Sequence, residues 1–131
     1  LREADRIIKI LTIEFPDVTF LNLCGQLSLR ESLMRLSECS RFWGIDSALL
    51  HFARLLKIPC ESFWGPTNPA TLLAKIPGLS EKIHYRPISC SPCIHVAETA
   101  PCCGRNLCIQ GLFDPAEIPV DVVMKNTSFY P

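Results

Sequence analysis

Asp46 and Ser47 stand at the junction between a short apolar run, "RFWGI", and an amphipathic segment, "ALLHFARLLK". Both residue types are preferred where a helix begins, so helix capping alone could account for them. A helix that begins at Ser47 would also point its free N–H groups and the positive end of its dipole outward, an arrangement that binds phosphate. His51 follows one turn later, and its ring can reach back because helical side chains lean toward the N-terminus. The residues alone leave both a helix cap with an exposed histidine and a phosphate site open.

Five of the eight cysteines lie in a cysteine-rich segment, residues 89–109. Cys90 and Cys93 form a C-x-x-C pair, and Cys108 with either Cys102 or Cys103 could complete four thiolate ligands for a structural zinc or iron ion. A single C-x-x-C pair is also compatible with reduced, partly buried thiols or with a disulfide formed during purification. Redox catalysis is less consistent with the pattern, because the pair does not begin a helix after a strand.

The other three cysteines, Cys24, Cys39 and Cys60, lie in apolar or helical contexts, where a free cysteine behaves as a small hydrophobic residue. A secreted disulfide scaffold would distribute its cysteines more evenly over a chain with little core. No signal peptide is recognisable, and no apolar run approaches the roughly 20 residues that cross a bilayer. We therefore expect a cytoplasmic protein without a membrane span.

The composition limits the class of partner. The 131 residues include 13 Lys and Arg and 13 Asp and Glu, which gives a formal net charge of zero, and 48% of them are hydrophobic. This balance offers no electrostatic surface for nucleic acid or an anionic membrane. The length suits one domain over residues 1–131 with a core of its own. Since the first residue is not methionine, we expect the chain to be a fragment of a longer protein.

Alternating apolar patterns predict the elements that position these residues. Strands are predicted at "VTFLNLCG", "RFWGI", "CESFWG" and "KIHYRPI", and helices at "LREADRIIKILTIEF", "SLRESLMRLSEC" and from Ser47 to Lys57, with a short helix after Asp114. Ser28 and Glu31 have the spacing of a capping box. In the helix after Ser47, His51 and Arg54 fall off the apolar side. Strands that alternate with helices predict an α/β fold, a Rossmann-like parallel sheet with flanking helices.

Ligands of such sheets bind beyond the carboxyl ends of the strands. Three of these ends are "CGQLS", "GIDS" and "GPTNP", and each contains glycine beside hydroxyl, amide or acidic side chains. Glycine lets a ligand approach the backbone closely. The pattern favours a phosphate-bearing ligand at this edge.

Four segments together resemble one known family. "GIDSALLHFARLLKIP" followed by "SFWGPTNP" resembles the donor-binding signature of glycosyltransferase family nine, the heptosyltransferase group. "NLCGQLSLRESLMRLSEC" resembles the segment upstream of it, and "ISCSPCI" with the later cysteines resembles a pattern near the end of these proteins. The resemblance covers roughly residues 18–118, in the same order along the chain.

The resemblance implies the C-terminal, donor-binding half of a GT-B fold in an inverting enzyme of lipopolysaccharide biosynthesis. The donor would be a nucleotide-diphosphate sugar similar to ADP-heptose. The missing N-terminal half would bind a saccharide or protein acceptor and supply the general base, so this chain would contain no catalytic residue and need no cofactor for transfer. In the implied site Asp46 contacts the sugar, and His51 supports the phosphate or the sugar. Ser47 and Ala48 hold the diphosphate. Gly65 and Thr67 line the nucleotide side.

Two positions depart from the family pattern. Ala48 stands where a glycine is usual and narrows the phosphate site, and Gln26 stands where a basic residue is common and removes a charge. Two further hypotheses therefore remain beside the transferase. One is a non-catalytic assembly module that carries a metal knuckle, and the other is half of a sugar-nucleotide epimerase.

Overall fold

The computed structural model describes residues 2–94 and 97–113. The chain divides into two compact units between Glu38 and Cys39. Within these described residues, the first unit contains two helices, and the second contains the sheet and three shorter helices. The single domain over residues 1–131 stays a prediction.

The first unit consists of α1 (Arg2–Glu14) and α2 (Leu29–Ser37). The capping box at the start of α2 is confirmed. The Ser28 hydroxyl oxygen accepts a hydrogen bond from the Glu31 backbone N–H at 3.3 Å, and the Glu31 carboxylate accepts one from the Ser28 N–H at 2.8 Å. Two backbone donors that a helix start leaves without partners are thereby satisfied.

The strand predicted at residues 18–25 is wrong. This stretch has no strand pairing, and residues 24–26 form a turn. The Asn22 side-chain oxygen accepts from the Cys24 N–H at 3.0 Å, the Gln26 side-chain amide donates to the Asn22 carbonyl at 2.9 Å, and Gly25 has a φ of 68°. Short polar side chains that bond nearby backbone compete with strand pairing, so local bonds prevail here.

The second unit is built on a parallel sheet of three strands, β1 (Phe42–Ile45), β2 (Cys60–Trp64) and β3 (Glu81–Tyr85), in the order β1-β2-β3. The register places Phe63 opposite Ile45 on one side and opposite His84 on the other. The predicted α/β class, a Rossmann-like parallel sheet with flanking helices, is confirmed, as are the strands at "RFWGI", "CESFWG" and "KIHYRPI".

Three helices accompany this sheet: α3 (Ala48–Leu55), α4 (Pro69–Leu72) and α5 (Leu107–Phe113). α3 corresponds to the helix predicted after Ser47 and packs against β1 and β2, while α5 packs against β2. Leu50, Ala53 and Trp64 are fully buried. The helix predicted after Asp114 lies outside the described residues.

Arg54 corrects the predicted helix face. We placed it off the apolar side of α3, yet only 4% of the residue is exposed. Its Nε and Nη2 atoms lie 2.8 and 3.3 Å from the Glu81 carboxylate, and Nη2 donates to the Ala74 carbonyl at 2.6 Å. A guanidinium can be buried where a bidentate carboxylate and a carbonyl satisfy its donors.

The longest helix among residues 2–94 and 97–113 has 13 residues. None of the helices in these ranges combines the length and the apolar character that a membrane crossing requires.

Candidate functional site

A pocket of about 350 Å³ opens at the carboxyl ends of β1 and β2. Three predicted site residues line it, namely Asp46, Gly65 and Thr67, together with Asn106 and five apolar residues. The apolar ones are Ile45, Phe63, Pro66, Ile94 and Ile109. Parallel strands end at the same edge, which is why residues about twenty positions apart in sequence meet in one pocket.

Ser47, Ala48 and His51 do not line this pocket but begin the helix beside it. The His51 Nε2 atom lies 3.4 Å from the Asp46 Oδ1 atom, so the histidine leans back toward the first turn as predicted. Ser47 occupies the N-cap position, but its side chain makes no capping hydrogen bond. The capping interpretation is therefore wrong for this hydroxyl.

Thr67 carries the most informative atom of the pocket. The residue is 6% exposed, and its Oγ1 atom has no hydrogen-bond partner among the described residues. A buried hydroxyl without a partner costs about 1–3 kcal/mol, and buried polar groups in native proteins nearly always have one.

Gly65 lies close to side chains of α5, whereas the sequence analysis explained glycine at this strand end by the close approach of a ligand. A Cβ atom at Gly65 would lie 2.7 Å from Ile109 side-chain atoms and 2.8 Å from the Cys108 sulfur. Real Cβ atoms essentially never come this close, so the space above Gly65 is occupied by α5. A larger residue here would require the Ile109 and Cys108 side chains to shift, because they pack directly on the loop after β2.

The cysteine-rich segment also holds that loop through hydrogen bonds. The Ser91 hydroxyl donates to the Gly65 carbonyl. The backbone N–H groups of Cys93 and Ile94 donate to the Pro66 carbonyl at 2.9 and 3.0 Å. Residues 91–94 thus hold the loop that contains Thr67 by hydrogen bonds to its backbone. The spacing of the cysteines alone did not predict these bonds.

The predicted ligands Cys90, Cys93, Cys102 and Cys108 are all free thiols. Within residues 2–94 and 97–113, no group of three or more His, Cys, Asp and Glu side chains is arranged to hold a metal ion. Burial raises the pKa of the Cys108 thiol, and the nearby Cys93 and Cys102 raise it further. A raised pKa disfavours the thiolate, and the thiolate is the form of cysteine that binds a metal ion. Binding of zinc or iron stays a prediction.

Cys102 lies in different surroundings. Burial raises the pKa of its thiol, but backbone N–H groups of residues 104–107 donate hydrogen bonds to the sulfur and bring the pKa below its ordinary value. One of those donors belongs to Asn106, which lines the pocket. The cysteine-rich segment thus itself contributes Ile94, Asn106 and Ile109 to the pocket wall.

A hydrogen-bonded pair that the sequence analysis missed, Glu61 and His84, lies next to the pocket residue Phe63. The Glu61 carboxylate accepts from the His84 Nε2 atom at 2.6 Å and lies 3.3 Å from the Lys82 Nζ atom. The His84 ring stacks on Phe63, which lines the pocket, with 4.7 Å between the ring centroids. The hydrogen bond from His84 is the main cause that lowers the pKa of Glu61. Only strand register could have revealed the pair, since Glu61 and His84 are 23 residues apart.

A larger hollow of about 560 Å³ follows one face of α2. Its lining comes from that helix alone and contains none of the predicted site residues. The edge of the sheet is the better candidate, because residues from several separate segments converge there.

The parallel sheet, with a largely apolar pocket that contains Asp46, Thr67 and Asn106 beyond its carboxyl edge, defines an α/β protein of the Rossmann-like class. Residues 2–103 match the family model described as glycosyltransferase family 9 (heptosyltransferase). The match covers well over half of the chain, so the chain belongs to glycosyltransferase family 9, as the resemblance indicated. Searches among curated proteins and solved structures gave no match.

Proposed function

We propose that the second unit binds the donor of an inverting glycosyltransferase, a nucleotide-diphosphate sugar similar to ADP-heptose. The observation that carries the proposal is the convergence of Asp46, Gly65 and Thr67 on one pocket at the carboxyl edge of the sheet, beside the start of α3. Membership of family 9 supplies the class of reaction, the transfer of a sugar from a donor to an acceptor. The unit would then correspond to the C-terminal half of a GT-B fold.

The diphosphate is proposed to lie at the start of α3. The first turn of this helix contains no acidic residue, and the Ser47 hydroxyl makes no capping bond that a phosphate would have to break. Backbone N–H groups at a helix start, together with the helix dipole, stabilise the charge that develops on a departing diphosphate. This mode of stabilisation needs no metal ion for the transfer step. His51 would orient the Asp46 carboxylate, from which it lies 3.4 Å away.

The acceptor side completes the proposal. A saccharide or protein acceptor and the general base would belong to an N-terminal half, as the family resemblance implies, with inversion at the sugar carbon. We expect the reaction to take place in the cytoplasm, where thiols such as these stay reduced, and to serve lipopolysaccharide biosynthesis. Direct displacement at the sugar carbon requires the donor and the acceptor to be held next to each other, so both the donor half and the acceptor half are needed.

Binding measurements on two variants of the complete protein test the donor site. Ser47→Ala removes the proposed hydrogen bond to the charged diphosphate, worth about 1.5–3 kcal/mol, so affinity for ADP-heptose in calorimetry should fall about tenfold or more. His51→Ala removes the contact that orients Asp46 and should lower the same affinity. Their thermal midpoints should stay close to that of the parent protein. Ser37→Ala is the matched control, because Ser37 is exposed on α2 and its hydroxyl donates to the Met34 carbonyl of the same helix.

Unchanged affinity in both variants would assign Ser47 and His51 no part in donor binding. Failure of the complete protein to bind any of a panel of nucleotide-diphosphate sugars would favour the assembly-module hypothesis. Release of an epimerised nucleotide-sugar without any acceptor would favour the epimerase hypothesis.

A further inference from the structure

We propose that Glu61 and His84 are positioning residues of the candidate site. The hydrogen bond between them orients the His84 ring, this ring fixes the ring of Phe63 in the pocket wall, and ligand affinity depends on where Phe63 lies. Neither member of the pair lines the pocket itself. The inference rests on the proposed function and adds to it two residues that act on the ligand through a third side chain.

Strand register brings the three side chains to one face of the sheet. Phe63 lies opposite His84 in the pairing of β2 with β3, and Glu61 lies opposite Lys82. Side chains two positions apart on a strand share a face, so Glu61 and Phe63 are on the same side of the sheet as His84. The alternate residues of β2 face the other side and are buried. Glu61 and His84 are therefore diagonal neighbours on adjacent strands, a separation that long side chains can bridge.

The bond to Glu61 determines how the His84 ring is turned. A histidine side chain rotates broadly at χ2 unless a partner fixes it. Here the His84 Nε2 atom lies 2.6 Å from the Glu61 Oε1 atom, and the exposed fractions of the two side chains are 29% and 19%. A short bond to a carboxylate that is partly shielded from water is among the stronger hydrogen bonds in proteins. The same bond is the main cause that lowers the pKa of Glu61, so the carboxylate is ionised near neutral pH.

The oriented His84 ring in turn fixes Phe63. The two rings are stacked, with an interplanar angle of 10° and 4.7 Å between their centroids. This stack requires His84 to present the face of its ring to Phe63, which is the orientation that the bond to Glu61 maintains. Phe113 of α5 lies at a centroid distance of 5.3 Å from Phe63, with the two rings tilted by 33°. Loss of the stack would open one side of Phe63 and allow rotamers that are now excluded.

Phe63 connects the pair to the ligand because it is an aromatic member of the pocket lining. It lies opposite Ile45 in the register of β1 with β2, and Ile45 lines the same pocket. A side chain whose neighbours fix its orientation offers a preformed surface, whereas a mobile ring has to be ordered when the ligand binds. Ordering one such side chain reduces affinity by about threefold to tenfold. We therefore expect an effect of this size from a pair that the ligand does not touch.

A double-mutant cycle in the complete protein, with calorimetric titration of ADP-heptose, tests the connection. Glu61→Leu removes the acceptor at similar size and should weaken binding about fivefold. Glu61→Gln keeps an oxygen that can accept from His84 and should retain most of the affinity. In the Phe63→Ala background, Glu61→Leu should have no further effect, because the ring through which the pair acts is absent. Lys82→Gln is the matched control, since it removes an exposed cation 3.3 Å from the Glu61 carboxylate and leaves the bond to His84; it should bind as the parent protein does.

A second measurement needs no ligand. With ¹³C at the δ1 methyl groups of isoleucine, NMR reports where the Phe63 ring lies through the shifts that the ring induces in its pocket neighbours Ile45 and Ile109. Glu61→Leu should move both signals and Glu61→Gln should leave them near the parent positions. The signal of Ile58, which is buried in the turn from α3 to β2, should stay in place and show that the unit remains folded.

Additive losses of affinity in the cycle would overturn the inference, because they would separate the pair from Phe63. Unmoved Ile45 and Ile109 signals in Glu61→Leu would overturn it as well. Absence of ADP-heptose binding by the parent protein, with the methyl signals moving as expected, would contradict the proposed function and still support the placement of Phe63 by Glu61 and His84.

Discussion

At the scale of single residues, Cys102 and Cys108 lie only six positions apart, yet the pKa values of their thiols are shifted in opposite directions. The Cys102 sulfur receives backbone N–H groups that outweigh the effect of burial and lower the pKa of the thiol, whereas burial raises the pKa of the Cys108 thiol. Cys108 is also packed against the loop at Gly65, with only 5% of the residue exposed. The spacing of the cysteines did not indicate this difference, because it arises from where the backbone of residues 104–107 turns.

We expect iodoacetamide to alkylate Cys102 well before Cys108 in the folded protein near neutral pH. The thiolate is the reacting form, and Cys102 has the higher thiolate fraction and the better access. Peptide mapping by mass spectrometry after short exposures measures the order. In the urea-unfolded chain the two rates should converge, and equal rates in the folded protein would contradict the assignment. Elemental analysis of protein purified without added metal checks the zinc or iron prediction separately.

At the scale of elements, one ion pair connects α3 to the far edge of the sheet. Arg54 is buried, and it joins the Glu81 carboxylate at the start of β3 to the Ala74 carbonyl in the preceding loop. Removal of one partner from such a pair leaves the other poorly solvated and unpaired. The position of α3, and therefore of Ser47 and His51, depends on this contact.

Arg54→Ala is expected to lower the free energy of unfolding by about 3 kcal/mol. Arg54→Lys should recover only part of the loss, because an ammonium does not reproduce the bidentate geometry. Urea denaturation with a linear extrapolation measures both. The matched control is Arg6→Ala, which breaks an exposed pair with Glu3 at 2.9 Å and should cost below about 1 kcal/mol. Similar losses in both alanine variants would show that burial of Arg54 contributes nothing.

The Glu61–His84 pair predicts an acid dependence of stability. The pKa of Glu61 is lower in the folded protein than its ordinary value, chiefly because of the hydrogen bond from His84. A carboxylate of this kind contributes stability above its unfolded pKa and loses the contribution as the pH falls through the folded value. Glu61→Gln should therefore show a smaller drop in the urea midpoint than the parent protein when the pH is lowered below the ordinary Glu pKa. Parallel drops in the two proteins would contradict this role.

Elements whose signals are local were predictable from the sequence, and those that depend on distant partners were not. The capping box at Ser28 and the helix after Ser47 follow from side chains next to the element itself. A strand exists only with a neighbour to pair with, and at residues 18–25 the local bonds of Asn22 prevailed over β propensity. The burial of Arg54 could not be predicted either, because its partner Glu81 lies 27 residues further along.

At the scale of the whole molecule, the candidate site is assembled within the second unit from segments far apart in sequence. Strand order and glycine-containing ends placed Asp46 and Thr67 at one edge, and the family resemblance selected them among several polar candidates. The opposite wall comes from Asn106 and Ile109, which carry no motif, while residues 93 and 94 bond the Pro66 carbonyl in the loop after β2. Prediction from sequence therefore found one half of the pocket and missed the half that is built by tertiary packing.

The last prediction concerns the transferase activity of the isolated 131-residue chain. Under the proposed function the 131-residue chain contributes donor-side groups, and no residue in it is assigned as the general base. Transfer requires donor and acceptor to be held in reacting geometry, which is worth several kcal/mol of the barrier and needs both walls of a cleft. We expect the purified chain to form no glycosylated product from ADP-heptose and an acceptor saccharide in a mass-spectrometric assay, while the complete protein does so under the same conditions. Product formation by the chain alone would place an acceptor site and a base within these residues, and the roles of Glu61 and His84 would then have to be reassigned first.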